Sequence, residues 1–328
     1  MNILVVGGAG YIGSHTARFL KKQGLNPVVF DNLTTGFAAS VKDQTFIQGD
    51  LHDQSLVEQT LMEHKIEAVM HFAACALVGE SVIEPSKYYD NNVVATFRLL
   101  EAMRNCGVGK FVFSSTCATY GIPEVVPIDE NEKQAPINPY GFTKLVVERM
   151  LQDYTHAYEF SYAALRYFNA AGASTEGDIG EDHDPESHLI PIVLQVALGQ
   201  RKHVTIFGDD YPTADGTCIR DYIHIYDLAA AHLAALQLLK PKQGIEVNLG
   251  TGNGYSVQEV IQMCRKITGH AIPTVMGERR PGDPPELIAN AAKANSLLGW
   301  RPQHSDLENI VKTAWNWHQN NPTGYDKS

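Results

Sequence analysis

A short apolar run, ILVV at residues 3–6, feeds directly into Gly7-Gly8-Ala9-Gly10-Tyr11-Ile12-Gly13, and helical spacing follows through residues 11–23 up to Gly24. No other feature of the chain limits its fold as strongly. The seven-residue turn satisfies both GxGxxG and GxxGxxG, and it stands where such a turn has meaning, after a strand and at the mouth of a helix. Glycine permits a tight turn there and lets backbone N–H groups approach an anion at the helix N-terminus. A chain that begins this way is expected to continue as a doubly wound, Rossmann-type parallel sheet that binds a dinucleotide.

The next residues continue that pattern. Strands are predicted at 28–30 (ending at Asp31), 45–48 (ending at Asp50), 69–72, 110–114 and 162–167, with helices at about 87–104 and 139–158. Strand–helix alternation at this spacing implies a parallel sheet covered on both faces. Residues 170–220 read as loop-rich, a helix returns at 227–239 and a strand at 245–249. The fold class is therefore α/β: a Rossmann-type doubly wound sheet in residues 1–170, a return segment at about 221–250, and a smaller mixed α/β substrate-binding domain in 171–328.

Composition narrows the partners. Of 328 residues, 44% are hydrophobic and 19% charged, and the net charge is -11. An acidic surface argues against general nucleic-acid binding, and no apolar run is long enough to span a bilayer. Five cysteines, an odd number with no CxxC pair, point to free thiols in a reducing compartment. No signal-peptide pattern is visible, so a soluble cytoplasmic protein is expected.

Three further signals carry chemistry. Asp31 closes the second strand at the spacing expected of a carboxylate that accepts hydrogen bonds from an adenosine ribose. It repels a 2′-phosphate, so the expected cofactor is NAD. Asp50 is placed for the adenine edge. Tyr140-Gly141-Phe142-Thr143-Lys144 follows Asn138, a good N-cap, and Pro139 at the first helical position. Tyr140 and Lys144 then share one helical face. An ammonium about 6–7 Å from a phenolate, at an effective dielectric of ~20, stabilises it by roughly 2.5 kcal/mol, nearly two pKa units, and an oxidised nicotinamide ring adds a second positive charge nearby, so the two together are expected to make Tyr140 a usable general base. Thr116, just past the fifth strand, is placed to hydrogen-bond the same substrate oxygen.

The stretches GGAGYIGSH, HFAA, VGES, YYDNNV, FSSTCATYG, NPYGFTK, LRYFNAAGA, FGDDYPTADGTCIRDYIH and RRPGDPP cover most of the chain. They resemble the extended short-chain dehydrogenase/reductase superfamily and, within it, the UDP-glucose (UDP-galactose) 4-epimerase family. The resemblance implies that Tyr140 exchanges the proton of the sugar 4-hydroxyl while NAD oxidises C4, that the 4-keto sugar turns over, and that reduction follows from its other face. Lys144 and Thr116 complete the implied catalytic set. NAD contacts are implied for Gly7, Gly10, Tyr11, Ile12, Gly13, Asp31, Asn32, Asp50 and Leu51. Phe72, Ala73, Ala74, Asn91, Ser114, Tyr140, Lys144 and Tyr167 complete that set. UDP-sugar contacts are implied for Thr116, Tyr140, Asn169, His188, Leu189, Thr205, Phe207, Arg220, Arg280, Asp283 and Leu287. A homodimer is implied, packed through helices near 91–104 and 139–158.

Departures from the family pattern bear on specificity. Ala76 replaces a lysine common after the fourth strand, and His188 replaces an asparagine. Leu287 stands where narrow-specificity relatives carry a bulky tyrosine, so additional activity on UDP-N-acetylglucosamine is expected. A 4,6-dehydratase or decarboxylase needs an acid/base carboxyl just after Thr116, where this chain has Cys117 and Ala118. A non-catalytic NAD-binding regulator is disfavoured because Tyr140 and Lys144 are both present. Residues 181–188, EDHDPESH, read as a solvated loop with no trusted ligand spacing, so no metal is expected. His71, Cys117, Trp300, Trp315 and Trp317 read as packing residues.

Overall fold

The computed structural model describes residues 1–280 and 282–325. In chain order the first half comprises β1 (Asn2–Val6), α1 (Tyr11–Lys22), β2 (Asn26–Asp31), β3 (Thr45–Gln48), α2 (Gln54–Glu63) and β4 (Ala68–His71). It continues with α3 (Val78–Ile83), α4 (Pro85–Tyr88), a π-helical stretch Tyr89–Val94, α5 (Ala95–Cys106), β5 (Lys110–Thr116), α6 (Pro139–Ala157) and β6 (Ser161–Tyr167). The second half comprises β7 (Asn169–Ala171), α7 (Leu189–Ala197), β8 (Val204–Phe207), β9 (Ile219–Arg220), β10 (Tyr222–His224), α8 (Ile225–Leu238) and β11 (Gly244–Leu249). It closes with β12 (Tyr255–Ser256), α9 (Val257–Thr268), β13 (Thr274–Gly277), β14 (Glu286–Leu287), α10 (Ala292–Leu298) and α11 (Leu307–Asn320).

Seven parallel strands form one sheet in the order β11-β6-β5-β4-β1-β2-β3. The winding reverses between β1 and β4, so the crevice at their carboxyl ends is where a ligand binds in sheets of this kind. Strand residues alternate between the two helical layers. Ile3 and Val5 join α1 and α8 in one core, and Leu4 and Val6 join α2, α5 and α6 in the other. Both sides of β1 are thus buried, which is why it reads as an unbroken apolar run.

Two expected elements take a different form. The long helix at 87–104 is interrupted by the π-helical stretch, a distortion common at functional sites. Residues 170–220 are not mainly loop. Helix α7 buries Ile190, Pro191, Val193, Leu194, Val196 and Ala197. Apolar almost all round, it has no polar face to betray a helical period. With α9 and α11 it forms a third core over β8 and β10. Three small sheets, β7/β10, β8/β13 and β12/β9/β14, complete this region. Among the described residues, no helix is long and apolar enough to cross a membrane.

Candidate active site

The glycine turn is held by what its missing side chains allow. Gly7 has φ +71°, and a Cβ on it would lie 2.4 Å from the Ala73 nitrogen. A Cβ on Gly13 would lie 2.2 Å from the Gly7 carbonyl oxygen. The turn therefore packs directly on Phe72–Ala73 at the end of β4. Gly10 caps α1 without a side chain, and a Cβ there would meet nothing closer than 3.4 Å. The first-turn amides of Tyr11, Ile12 and Gly13 lack intrahelical acceptors. An open helix entrance with free amides fits the diphosphate of a dinucleotide.

Around this turn, Asp31 accepts hydrogen bonds from the backbone of Ala9 (2.9 Å) and Leu33 (2.8 Å), and burial raises its pKa. Asn32 donates to Asp50 (2.8 Å), whose other oxygen accepts from the His52 backbone and ring. Leu51 is buried, and Phe72 packs on the His232 ring. Ala74 is half-buried just beyond Ala73. The Tyr11 hydroxyl donates to the Gly172 carbonyl (2.6 Å) and fastens the loop after β7, which leaves its backbone amide at the helix entrance. Asn91 spends its amide on Asn92 (2.9 Å).

At the carboxyl end of β5 the catalytic candidates converge. Asn138 caps α6 by accepting from Gly141 N (2.8 Å), with Pro139 at the first position. Lys144 Nζ donates to the Ser114 carbonyl (2.8 Å) and lies 6.0 Å from the Tyr140 ring centre. The Ser114 and Tyr167 hydroxyls are hydrogen-bonded. Thr116 caps the turn after β5, accepting from Ala118 N (3.1 Å). The spacing of Tyr140 and Lys144 matches expectation. Burial pushes the Tyr140 phenol up to about 12, a Thr116 hydrogen bond lowers it in part, and Cys117 raises it. Burial also pulls the Lys144 ammonium down to about 7, against the pull of Glu148 and Cys75. Desolvation is the largest influence on both groups when no cofactor is bound.

Several supporting residues escaped the sequence reading. Arg166 on β6 holds Glu148 on α6 through a buried ion pair of 2.6 Å and donates to Tyr120 (3.0 Å). Glu148 also accepts from Ser115 (2.5 Å), next to Thr116. Asn92, in the π-helical stretch, accepts from Cys75 N (2.8 Å) and donates to Cys75 O (3.0 Å) and Thr143 (3.1 Å). It ties the loop after β4 to the catalytic helix. The only signal was an Asn-Asn pair inside a helical pattern, where such residues usually weaken a helix.

The remaining candidates gather on the small sheets. Leu287 pairs with Arg220 in register, and Arg220 forms an ion pair with Asp283. Asn169 donates to the Asp221 carbonyl (3.1 Å), and Asp221 N donates to Leu287 O (3.0 Å). The Asp221 carboxylate, also unanticipated, accepts from Thr251, Gly252 and Ala289. Thr205 and Phe207 lie on β8, with the Arg280 guanidinium 4.2 Å from the Phe207 ring centre. Pro281, within the RRPGDPP stretch, lies outside the described residues. Leu189 opens α7 and His188 caps it.

The segment 181–188 is a loop with Asp184, Pro185, Ser187 and His188 exposed, as expected, but its four possible ligand side chains come together. Glu181 is 5% exposed, and His183, Glu186 and His188 converge on it. Sequence spacing missed this because the chain doubles back within eight residues. His71 and the three tryptophans are buried packing residues, as expected, and burial pushes the Cys117 thiol up to about 12.

The chain matches the NAD dependent epimerase/dehydratase family over residues 3–250. It is 56% identical over 326 residues to a UDP-glucose 4-epimerase of Halalkalibacterium halodurans, covering 99% of this chain and 98% of that one. The UDP-glucose 4-epimerase of Bifidobacterium longum, solved with NAD+ and UDP, superposes with a TM-score of 0.95 at 39% identity, covering 99% of this chain and all (100%) of that one. The UDP-Glc/GlcNAc 4-epimerase of Campylobacter jejuni superposes with a TM-score of 0.86 at 44% identity, covering 97% and 99%.

Proposed function

The chain belongs to the NAD-dependent epimerase/dehydratase family, and on that premise we propose that it interconverts UDP-glucose and UDP-galactose by inverting C4 of the hexose. The observation that carries this reading is the meeting of Tyr140, Thr116 and Lys144 at the end of β5, beside the glycine turn. When bound, NAD would supply a hydride acceptor and donor for C4 of the sugar. The first-turn amides of α1 would hold its diphosphate, and Asp31 its adenosine ribose.

The protein's own groups move the proton. Tyr140 takes the proton of the 4-hydroxyl, with Thr116 bonded to the same oxygen. The Lys144 ammonium, fixed by the Ser114 carbonyl, stabilises the phenolate. A positive charge brought beside the pair by the cofactor adds to this stabilisation and works against the burial that holds the empty phenol near 12. The 4-keto sugar turns in the pocket, and Tyr140 returns the same proton to the C4 oxygen, so the cycle balances. Arg220, Arg280 and the start of α7 hold the diphosphate and uridine away from C4. Charge-assisted arginine–phosphate bonds suit that task. Product analysis on UDP-galactose tests the reading: formation of UDP-glucose supports it, and a 4-keto-6-deoxy product or no turnover by NAD-loaded enzyme overturns it.

Leu287 leaves room beside the sugar, and activity on UDP-N-acetylglucosamine is part of the proposal. Leu287→Tyr is expected to lower that activity roughly 10- to 200-fold and to spare UDP-galactose. An equal loss on both sugars sinks this part. The substrate-holding region is assigned to residues 171–328, less the return segment at about 221–250. A cytoplasmic homodimer completes the reading. A groove of about 360 Å³ lined by Val93, Val94, Phe97, Met150, Asp153 and Tyr154 lies between the two helices assigned to the interface, and its exposed apolar side chains support pairing there. Sedimentation giving a monomer at micromolar concentration would remove it.

A further inference from the structure

We propose that Glu181, His183, Glu186 and His188 form a site for one divalent transition-metal ion, zinc by preference, which pins the start of α7 beside the dinucleotide turn. Each residue contributes one ligand atom, and the four atoms lie within 4.8 Å of one another. His183 Nδ1 stands 3.3 Å from Glu181 Oε1 and 3.6 Å from Glu186 Oε2. His188 Nδ1 stands 2.8 Å from Glu181 Oε1 and 3.2 Å from Glu186 Oε1. Four ligands at roughly 2.0–2.1 Å from a tetrahedral zinc ion are separated by about 3.3–3.4 Å. The observed separations bracket that edge.

Without an ion the same groups pair electrostatically: against burial, Glu181 and Glu186 raise the His183 imidazole to about 9 and the His188 imidazole to about 10, so a metal must displace those protons. A charge-assisted N–H···O bond closes to about 2.7–2.9 Å, and only the His188–Glu181 contact does so. His183 Nδ1 is buried between two carboxylates, 3.3 Å from one and 3.6 Å from the other, a separation that suits two ligands of one ion. Two imidazoles with two carboxylates suit zinc and its first-row neighbours, whereas magnesium and calcium take oxygen almost alone.

The surroundings are those of an oriented metal centre. Glu186 Oε1 accepts from the backbone of Ser187 (2.7 Å) and His188 (2.8 Å), which fixes its carboxylate. The Trp317 indole donates to the Glu181 carbonyl (3.1 Å) from α11. Outer contacts of this kind hold first-sphere ligands in place. The Tyr11 ring meets His183 edge-on at 6.2 Å while its hydroxyl holds Gly172. The ion would thus join the loop after β7, the start of α7 and the first turn of α1. None of its four ligands contacts Tyr140, Thr116 or Lys144 in the described contacts, so the ion would position the start of α7, where His188 and Leu189 are assigned to the substrate, and take no part in the proton transfer.

The test is a zinc chloride titration of the untagged full chain after chelation and dialysis, followed by calorimetry and thermal melting. The expected result is about one zinc per chain, with a melting temperature that rises with zinc and falls with chelator. His183→Gln and His188→Gln are each expected to weaken binding by at least roughly 100-fold, at or beyond the 10- to 100-fold loss of an outer contact. Absence of uptake by the folded wild type, or uptake undiminished in both variants, overturns the proposal and leaves the two histidines ion-paired with the two glutamates. Zinc-edge absorption on the wild type decides the matter even if the variants fail to fold. Nitrogen and oxygen ligands near 2.0–2.1 Å support the site, and sulfur ligands refute it.

Discussion

Lys144 and Arg166 are both buried cations near Glu148, and burial lowers the pKa of each, but only for Arg166 is the loss more than restored. Arg166 gives three N–H···O contacts to Glu148 and one to Tyr120. Burial lowers its pKa, and Glu148 more than restores it. Lys144 has one fixed acceptor, the Ser114 carbonyl, and burial pulls it down to about 7. The difference lies in how many acceptors are built around each charge. A saturated cation is locked and serves the fold, whereas a cation with one acceptor stays free to change its charge and serves the reaction.

The comparison is open to attack from several sides. The largest effect is expected on the under-satisfied side: Tyr140→Phe removes the only group that exchanges the proton, and kcat should fall by roughly 10²–10⁴ while NAD stays bound. Unchanged turnover would show that the proton moves elsewhere. On the saturated side, Glu148→Gln strands Arg166 and should cost about 3–5 kcal/mol of stability, seen as a lower melting temperature, with far less effect on turnover per folded chain. A loss of turnover with stability intact would erase the distinction. Thr116→Val takes away the hydrogen bond that pulls the Tyr140 phenol down, and kcat should drop roughly 10- to 100-fold, measured under saturating sugar.

The smallest effect is a pH dependence. Between about 7 and the ordinary lysine value of 10.5, the unfolded chain binds a proton at Lys144 that the empty folded chain does not. Folding stability from this group therefore rises as pH rises through that window. Lys144→Met removes the penalty, so the cofactor-free variant should melt above wild type near pH 6.5. That gap should shrink by pH 9.5, by on the order of 5 °C. A gap that ignores pH would mean that Lys144 stays charged as firmly as Arg166.

How far the sequence could be read follows from which contacts are local. The strands, the glycine turn and the Asn138–Pro139 helix start rest on neighbours within a few residues, and the structure has them where the pattern put them. The i, i+4 geometry of Tyr140 and Lys144 was equally legible. Their burial was not, since it and the influence of Cys75 and Cys117 come from distant segments, among them the Phe113 ring 4.9 Å from the Lys144 ammonium. Glu148–Arg166 and the Asp221 hub join residues 18 and 30 or more positions apart, and no spacing rule reaches them. Helix α7 was missed for the opposite reason: buried nearly all round, it carries no periodic contrast.

The topology also shapes how the chain comes together during synthesis. β6 ends at Tyr167, but its outer neighbour β11 begins only at Gly244. Until the ribosome delivers that distant partner, β6 is an unprotected edge, with one row of amides and carbonyls unpaired. Such an edge invites pairing with other nascent chains. Closing it requires bringing together segments separated by the whole intervening excursion, a long-range step that slows folding. Truncations that stop short of β11 should therefore accumulate as aggregates rather than as a smaller soluble nucleotide-binding unit.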